Sequence, residues 1–155
     1  MTEARPYQHV SGPPSGYRQL YGAVAVVGFV LSFTQFYARE VVDGYPERLT
    51  LWTLLADPNW EGVAIAALLL LFSLVAIAVC GAVRSVRTVA VPVAMMVLSL
   101  VGAVMLMAKI GYSDPAPPFD DGGAMMLALA WGAVLLGVVH TAHLVVWRWR
   151  VRRRG

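Results

Sequence analysis

The chain has a single cysteine, a single lysine and three histidines, and its long apolar stretches hold no carboxylate. A lone Cys80 excludes an internal disulfide and any Cys-x-x-Cys redox pair. Charged residues make up 14% of the 155 positions, whereas a soluble domain is nearer a quarter charged, so a normal solvated surface is excluded. The lack of an intramembrane carboxylate argues against a proton-coupled transporter, which needs such a relay. Lys109, the only lysine, closes an apolar run, where its stem can extend to the interface. Arginine supplies the rest of the basic charge. With the high Ala, Val and Gly content, this fits the coding bias of a GC-rich bacterium.

What the sequence does have is length without charge. Gln19–Ala38, Gly62–Val83, Thr88–Ala108 and Gly122–Trp147 are free of charged residues. A bilayer-spanning helix takes about 20 mostly apolar residues, and each run reaches that length. These runs predict an all-α membrane protein: a four-helix, up-down-up-down transmembrane bundle. The expected organisation is a flexible cytoplasmic tail over 1–16, a four-span domain over 17–149 and a basic cytoplasmic tail over 150–155. The first run is read as a span rather than a cleaved signal, because its apolar stretch exceeds a signal core and Tyr37-Ala38-Arg39-Glu40 lacks a small-x-small site.

Arginine placement sets the orientation. Arg5, Arg18, Arg84, Arg87, Arg148, Arg150, Arg152, Arg153 and Arg154 fall on one side of the alternating spans, with Glu3. Arg39, Arg48 and Lys109 fall on the other, with Glu40, Asp43, Glu47, Asp57, Glu61, Asp114, Asp120 and Asp121. Basic residues near span ends mark the cytoplasmic side, which puts both termini there, in the inner membrane. The pI near 9.4 reflects a charge dipole across the membrane rather than a uniformly basic protein.

Between the spans, Thr50–Pro58 has a helical pattern with Thr50, Thr53 and Asp57 on one face and Leu51, Trp52, Leu54 and Leu55 on the other. It is too short to span and should lie in the outer interface or fold back over the bundle. Tyr17, Tyr21, Phe36 and Tyr37 read as interfacial aromatics at the two ends of the first span. The four-residue connection Arg84–Arg87 makes spans two and three antiparallel neighbours. Pro92 falls near the start of span three, where a missing N–H costs little. Glu61-Gly62-Val63-Ala64 and Asp121-Gly122-Gly123-Ala124 form a faint repeat at the starts of spans two and four.

Candidate chemistry is sparse. His140 and His143 share a helix face at i, i+3, a spacing that can hold a metal. No third Cys, His or carboxylate is near them in sequence, so no metal or haem is expected; hydrogen bonds to backbone, water or lipid are expected instead. Asp114, Asp120 and Asp121 cluster, but without an EF-hand pattern or a glutamate, and they read as marking the solvated outer side. Ser32, Thr34, Gln35, Ser73 and Ser99 are read as helix–helix hydrogen-bonding groups. Span four has two small-residue series, Ala124/Ala128/Gly132 and Ala133/Gly137/Thr141, either of which lets a second helix come close.

The C-terminal arginines Arg148, Arg150, Arg152, Arg153 and Arg154, interleaved with Trp147 and Trp149, suit anionic headgroups on the cytoplasmic face rather than nucleic acid. No cofactor is expected. The leading functional expectation is a non-enzymatic accessory or assembly subunit of a larger membrane complex. Its contacts would be Leu51, Trp52, Leu54, Leu55, Gly132 and Gly137, with a membrane-protein partner or a second copy. A small oligomeric channel or transporter is the alternative. An interfacial lipid-modifying enzyme using Asp57, Asp120 or Asp121 comes third. The orientation is directly testable. A reporter fused at Gly155 should be active only in the cytoplasm, and one inserted within Asp114–Asp121 only in the periplasm; a periplasm-active fusion at Gly155 reverses the topology.

Overall fold

A computed structural model describes residues 16–40, 46–56, 61–84, 86–108 and 119–153. The order of elements is α1 (Tyr17–Leu31), β1 (Gln35–Glu40), β2 (Pro46–Thr50), α2 (Leu51–Leu54), α3 (Glu61–Val83), α4 (Ala90–Ala108) and α5 (Asp121–Arg152). Among the described residues, α3, α4 and α5 are long and apolar enough to cross a membrane, and α1 is a shorter apolar helix. The protein is therefore mostly helical and compatible with an all-α membrane bundle. Expectations that fall on residues 1–15, Asp57, Pro58, Lys109, Asp114 and Arg154 lie outside the described residues.

α3 and α5 begin at Glu61 and Asp121, the two acids of the sequence repeat. An acid in the first turn complements the positive end of the helix dipole. Asp120 is the N-cap of α5, its carboxylate accepting the Asp121 N–H at 2.8 Å. α4 tolerates Pro92 in its first turn, where backbone N–H groups have no helical acceptor. Arg18 closes the other end of α3: its Nε donates to the Ala82 carbonyl at 2.9 Å and a terminal nitrogen to Val83 at 3.1 Å. A cation there also suits the negative end of the dipole.

α1 packs on α3, α3 on α4 and α4 on α5, and α5 closes on α1. One apolar cluster joins Tyr21, Ala25, Leu74, Ala78, Met95 and Ala133. A second joins Leu31, Phe36, Leu71 and Met126, with Leu51 packed against it. Glycines permit two close approaches here. A Cβ on Gly81 would sit 2.8 Å from the Tyr21 ring, and one on Gly137 would sit 2.7 Å from the Pro92 carbonyl oxygen.

The first apolar run is not one helix: of the helix expected over Gln19–Ala38, only the part up to Leu31 is helical. α1 has 15 residues, about 22 Å of helix, and stops at Leu31. A helix end leaves its last carbonyls without helical donors. Here Ser32 Oγ donates to Phe29 O at 2.6 Å and Thr34 Oγ1 to Leu31 O at 2.8 Å. The backbone N–H groups of Ser32, Phe33 and Thr34 serve Gly28, Val30 and Leu31 in turn. With its end satisfied, the chain turns into β1, which pairs antiparallel with β2 from Gln35↔Thr50 to Glu40↔Pro46. Hydropathy passes through this break because Phe33, Phe36 and Tyr37 are apolar in either conformation.

The hairpin and α5 meet backbone to backbone. The Asp120 N–H donates to Phe36 O at 3.1 Å. Gly122 and Gly123 lie so close to β1 that a Cβ on either would overlap the Gln35 or Phe36 carbonyl oxygen. The short α2 is capped by Thr50: the Thr50 hydroxyl accepts the Thr53 N–H at 3.1 Å, and the Thr53 hydroxyl accepts the Thr50 N–H at 2.9 Å. At the far end, α5 runs helical to Arg152, so Arg150 and Arg152 belong to the helix rather than to a separate tail.

Gly122→Ala and Gly123→Ala should each lower stability by about 2–3 kcal/mol, since the obstacle is backbone and cannot rotate away. Gly132→Ala, where a Cβ meets nothing within 4 Å, should stay within about 0.5 kcal/mol of wild type. Reversible unfolding in mixed micelles measures all three.

Candidate functional site

The densest group of functional side chains joins the start of α1 to the second half of α5. Tyr17 and Tyr21 lie at i, i+4 on α1, and His140 and His143 at i, i+3 on α5. Each spacing puts its pair on one helix face. Tyr21 Oη and His140 Nδ1 are 2.8 Å apart, and both side chains are buried. Tyr17 lies flat on the His140 ring, with centroids 4.0 Å apart and planes 9° apart. Its hydroxyl reaches His143 Nδ1 at 3.2 Å. Gly81 of α3 makes the room that the Tyr21 ring needs.

The bond to Tyr21 forms in either tautomer of His140, because a phenol both donates and accepts. His140 Nε2 is buried with no hydrogen-bond partner among the described residues. Donor and acceptor follow the tautomer: Nδ1–H donates to the Tyr21 oxygen in one, and the Tyr21 O–H donates to Nδ1 in the other. Ser99 Oγ and Thr141 Oγ1 are buried in the same unpartnered way. Chemically the group is a clasp: two phenols occupy both Nδ1 atoms, and Tyr17 covers one imidazole face. Among the described residues, no group of three or more His, Cys, Asp or Glu side chains is placed to hold a metal.

The expected partners of the histidines were backbone, water or lipid, and the observed ones are tyrosines of α1. Tyr21 and Phe36, expected at the interface, are buried. The signal lay in two aromatic pairs with helical spacing at the same end of antiparallel segments. Composition had separated them into interfacial tyrosines and a candidate histidine pair.

The other sequence candidates lie apart from this clasp. Trp52 stacks on Phe33 with centroids 5.8 Å apart and meets Phe72 edge-on at 6.1 Å. Leu51 packs on the outer cluster. Leu55 is partly buried, and the Leu54 side chain is outside the described set. The two small faces of α5 have different surroundings. Ala133 and Gly137 are buried, with Gly137 against α4, whereas Ala124, Ala128 and Gly132 are exposed. Asp120 is the helix cap, and Cys80 is exposed on α3. At the basic end, an Arg148 terminal nitrogen donates to the Arg87 carbonyl at 2.7 Å, and the Arg153 guanidinium lies 3.5 Å from the Trp149 ring centroid.

Tyr21→Phe should destabilise the protein by about 1–3 kcal/mol, the cost of leaving a buried partner unbonded. Adding His140→Leu should recover part of that loss, so the double variant is more stable than the sum of the singles. Strict additivity in mixed-micelle unfolding would show that the two side chains are not coupled. No family model, curated protein or solved structure matches this chain.

Proposed function

We propose that this chain is a four-helix integral protein of the bacterial cytoplasmic membrane, with both termini cytoplasmic, that serves as a non-enzymatic accessory or assembly subunit. The observation that carries this reading is the use made of the interior polar groups. Tyr21 and His140 bind each other, Ser32 and Thr34 cap α1, and Trp52 covers Phe33 and Phe72 of its own bundle. These groups serve the fold and do not converge on a reacting centre. In lipid, α1 and β1 together make the first crossing. Non-helical backbone at membrane depth is tolerated where protein buries it, as α5 does here.

The partner in this reading is an apolar transmembrane helix of a different membrane protein, seated along Ala124, Ala128 and Gly132. Trp131 and Leu135 are exposed beside them. α5 already uses the same device inside the chain, where Gly137 lets α4 approach. Of the sequence-expected contacts, Gly132 remains in this role, while Trp52 and Gly137 are engaged within the chain.

A second reading, a small oligomeric channel or transporter, draws on the break at Ser32–Thr34. Interrupted helices are common at solute sites in transporters.

A photo-crosslinking residue at 132 in native membranes should yield a discrete adduct with another membrane protein. Ala128→Leu should abolish that adduct, and the same probe at Val104, exposed on α4, should give lipid adducts alone. Lipid adducts alone at 132 would remove the accessory reading. A self-adduct at 132 together with solute flux in liposomes would put the channel or transporter reading in its place.

A further inference from the structure

We infer that the α3–α4 connection and the last two turns of α5 form a defined site for the phosphate of one anionic phospholipid. This goes beyond the diffuse attraction expected of a basic tail. α5 stays helical to Arg152, so Arg148 and Arg152 are fixed one turn apart on one face. That face continues the one that packs on α4, because Arg148 lies only about 20° around the helix from Gly137. Arg148 is held over the connection by its 2.7 Å bond to Arg87 O, which uses one donor of its five. Arg84 and Arg87 add charge from the connection itself. Among the described side chains, the carboxylates are those of Asp120 and Asp121 at the start of α5, the end opposite Arg148 and Arg152. Basic side chains that share one end of the bundle with no described carboxylate beside them suit a phosphate, which takes paired N–H donors from a guanidinium.

The neighbouring surface favours a lipid over a free anion. Val145 and Val146 are exposed three and two residues before Arg148, and Trp149 is exposed immediately after it. Val145 stands at i−3 from Arg148, so an acyl chain and a phosphate on the same molecule meet adjacent side chains. An exposed indole at this level marks the headgroup layer.

Native mass spectrometry of the full chain released from micelles tests the site, using phosphatidylglycerol and phosphatidylcholine as probes. Wild type should retain one phosphatidylglycerol in preference to phosphatidylcholine. Arg148→Gln and Arg87→Gln should each lower that retention about fivefold. Arg148→Lys keeps the charge but loses the fork, so its retention should be intermediate; it also covers the case in which the glutamine variants fail to fold. Arg153→Gln, whose guanidinium lies on Trp149, should change little. Retention unchanged in Arg148→Gln or, should that variant not fold, in Arg148→Lys overturns the site. So does equal retention of phosphatidylcholine, or displacement of the lipid by excess inorganic phosphate or by an oligonucleotide.

Discussion

Three backbone carbonyls, from Phe29 to Leu31, lose their helical donors where α1 stops, and the adjoining part of the bundle is built around satisfying them. Ser32 and Thr34 do this locally with hydroxyl and amide donors. Because they do, the chain can leave the helix in an apolar setting without stranding polar groups. The extended β1 then creates a new demand, since its own carbonyls must be met. Asp120 supplies an N–H to Phe36, and two glycines let the start of α5 come within reach. The end of α1 and the start of α5 thus face each other with opposite partial charges, which favours their contact.

The opposite end of α1 is held by different physics. There Tyr17 stacks on His140, Tyr21 bonds to it, and Arg18 reaches across to the last carbonyls of α3. Between the two attachments, α1 passes Val75 and Leu129 at Gly28, where a Cβ would make only ordinary contact. A helix of 15 residues has little apolar length for packing, so both of its ends are secured by specific polar contacts. α3, apolar on every face, is held by packing and by the borrowed cap from Arg18.

The contrast explains what the sequence disclosed. The starts of α3 and α5 were legible because an acid followed by an apolar run marks a helix start electrostatically. The end of α1 was not legible, because hydropathy weighs side chains and says nothing about where backbone donors go. Ser32 and Thr34 fit equally well inside a helix, bonded backwards, or at its end. Tyr21 and Phe36 resembled interfacial aromatics because they flank an apolar run; only the register of α1 against α5 shows that one meets His140 and the other the outer cluster. The clasp needs that register too, since its tyrosine pair and its histidine pair are more than 100 residues apart in sequence. The two small faces of α5 were visible, but which of them α4 occupies was not.

What the fold leaves unused then limits what the protein can do. Tyr21 and His140 bind each other and Ser32 and Thr34 cap α1, so these groups serve the fold, while α5 contributes much of the exposed apolar surface. This helix is 32 residues long, about 48 Å, and exceeds the roughly 30 Å hydrocarbon core. Its excess length carries Arg148 and Arg152 beyond the bundle on the side of α4. The open face around Gly132 lies about 160° away around the helix axis from both arginines. A helix seated at Gly132 and a phospholipid held at Arg148 therefore do not compete for space. A rigid helix can hold both at once, with the lipid fixing depth at one end while the open face presents the same small residues to a neighbour at a constant level in the membrane.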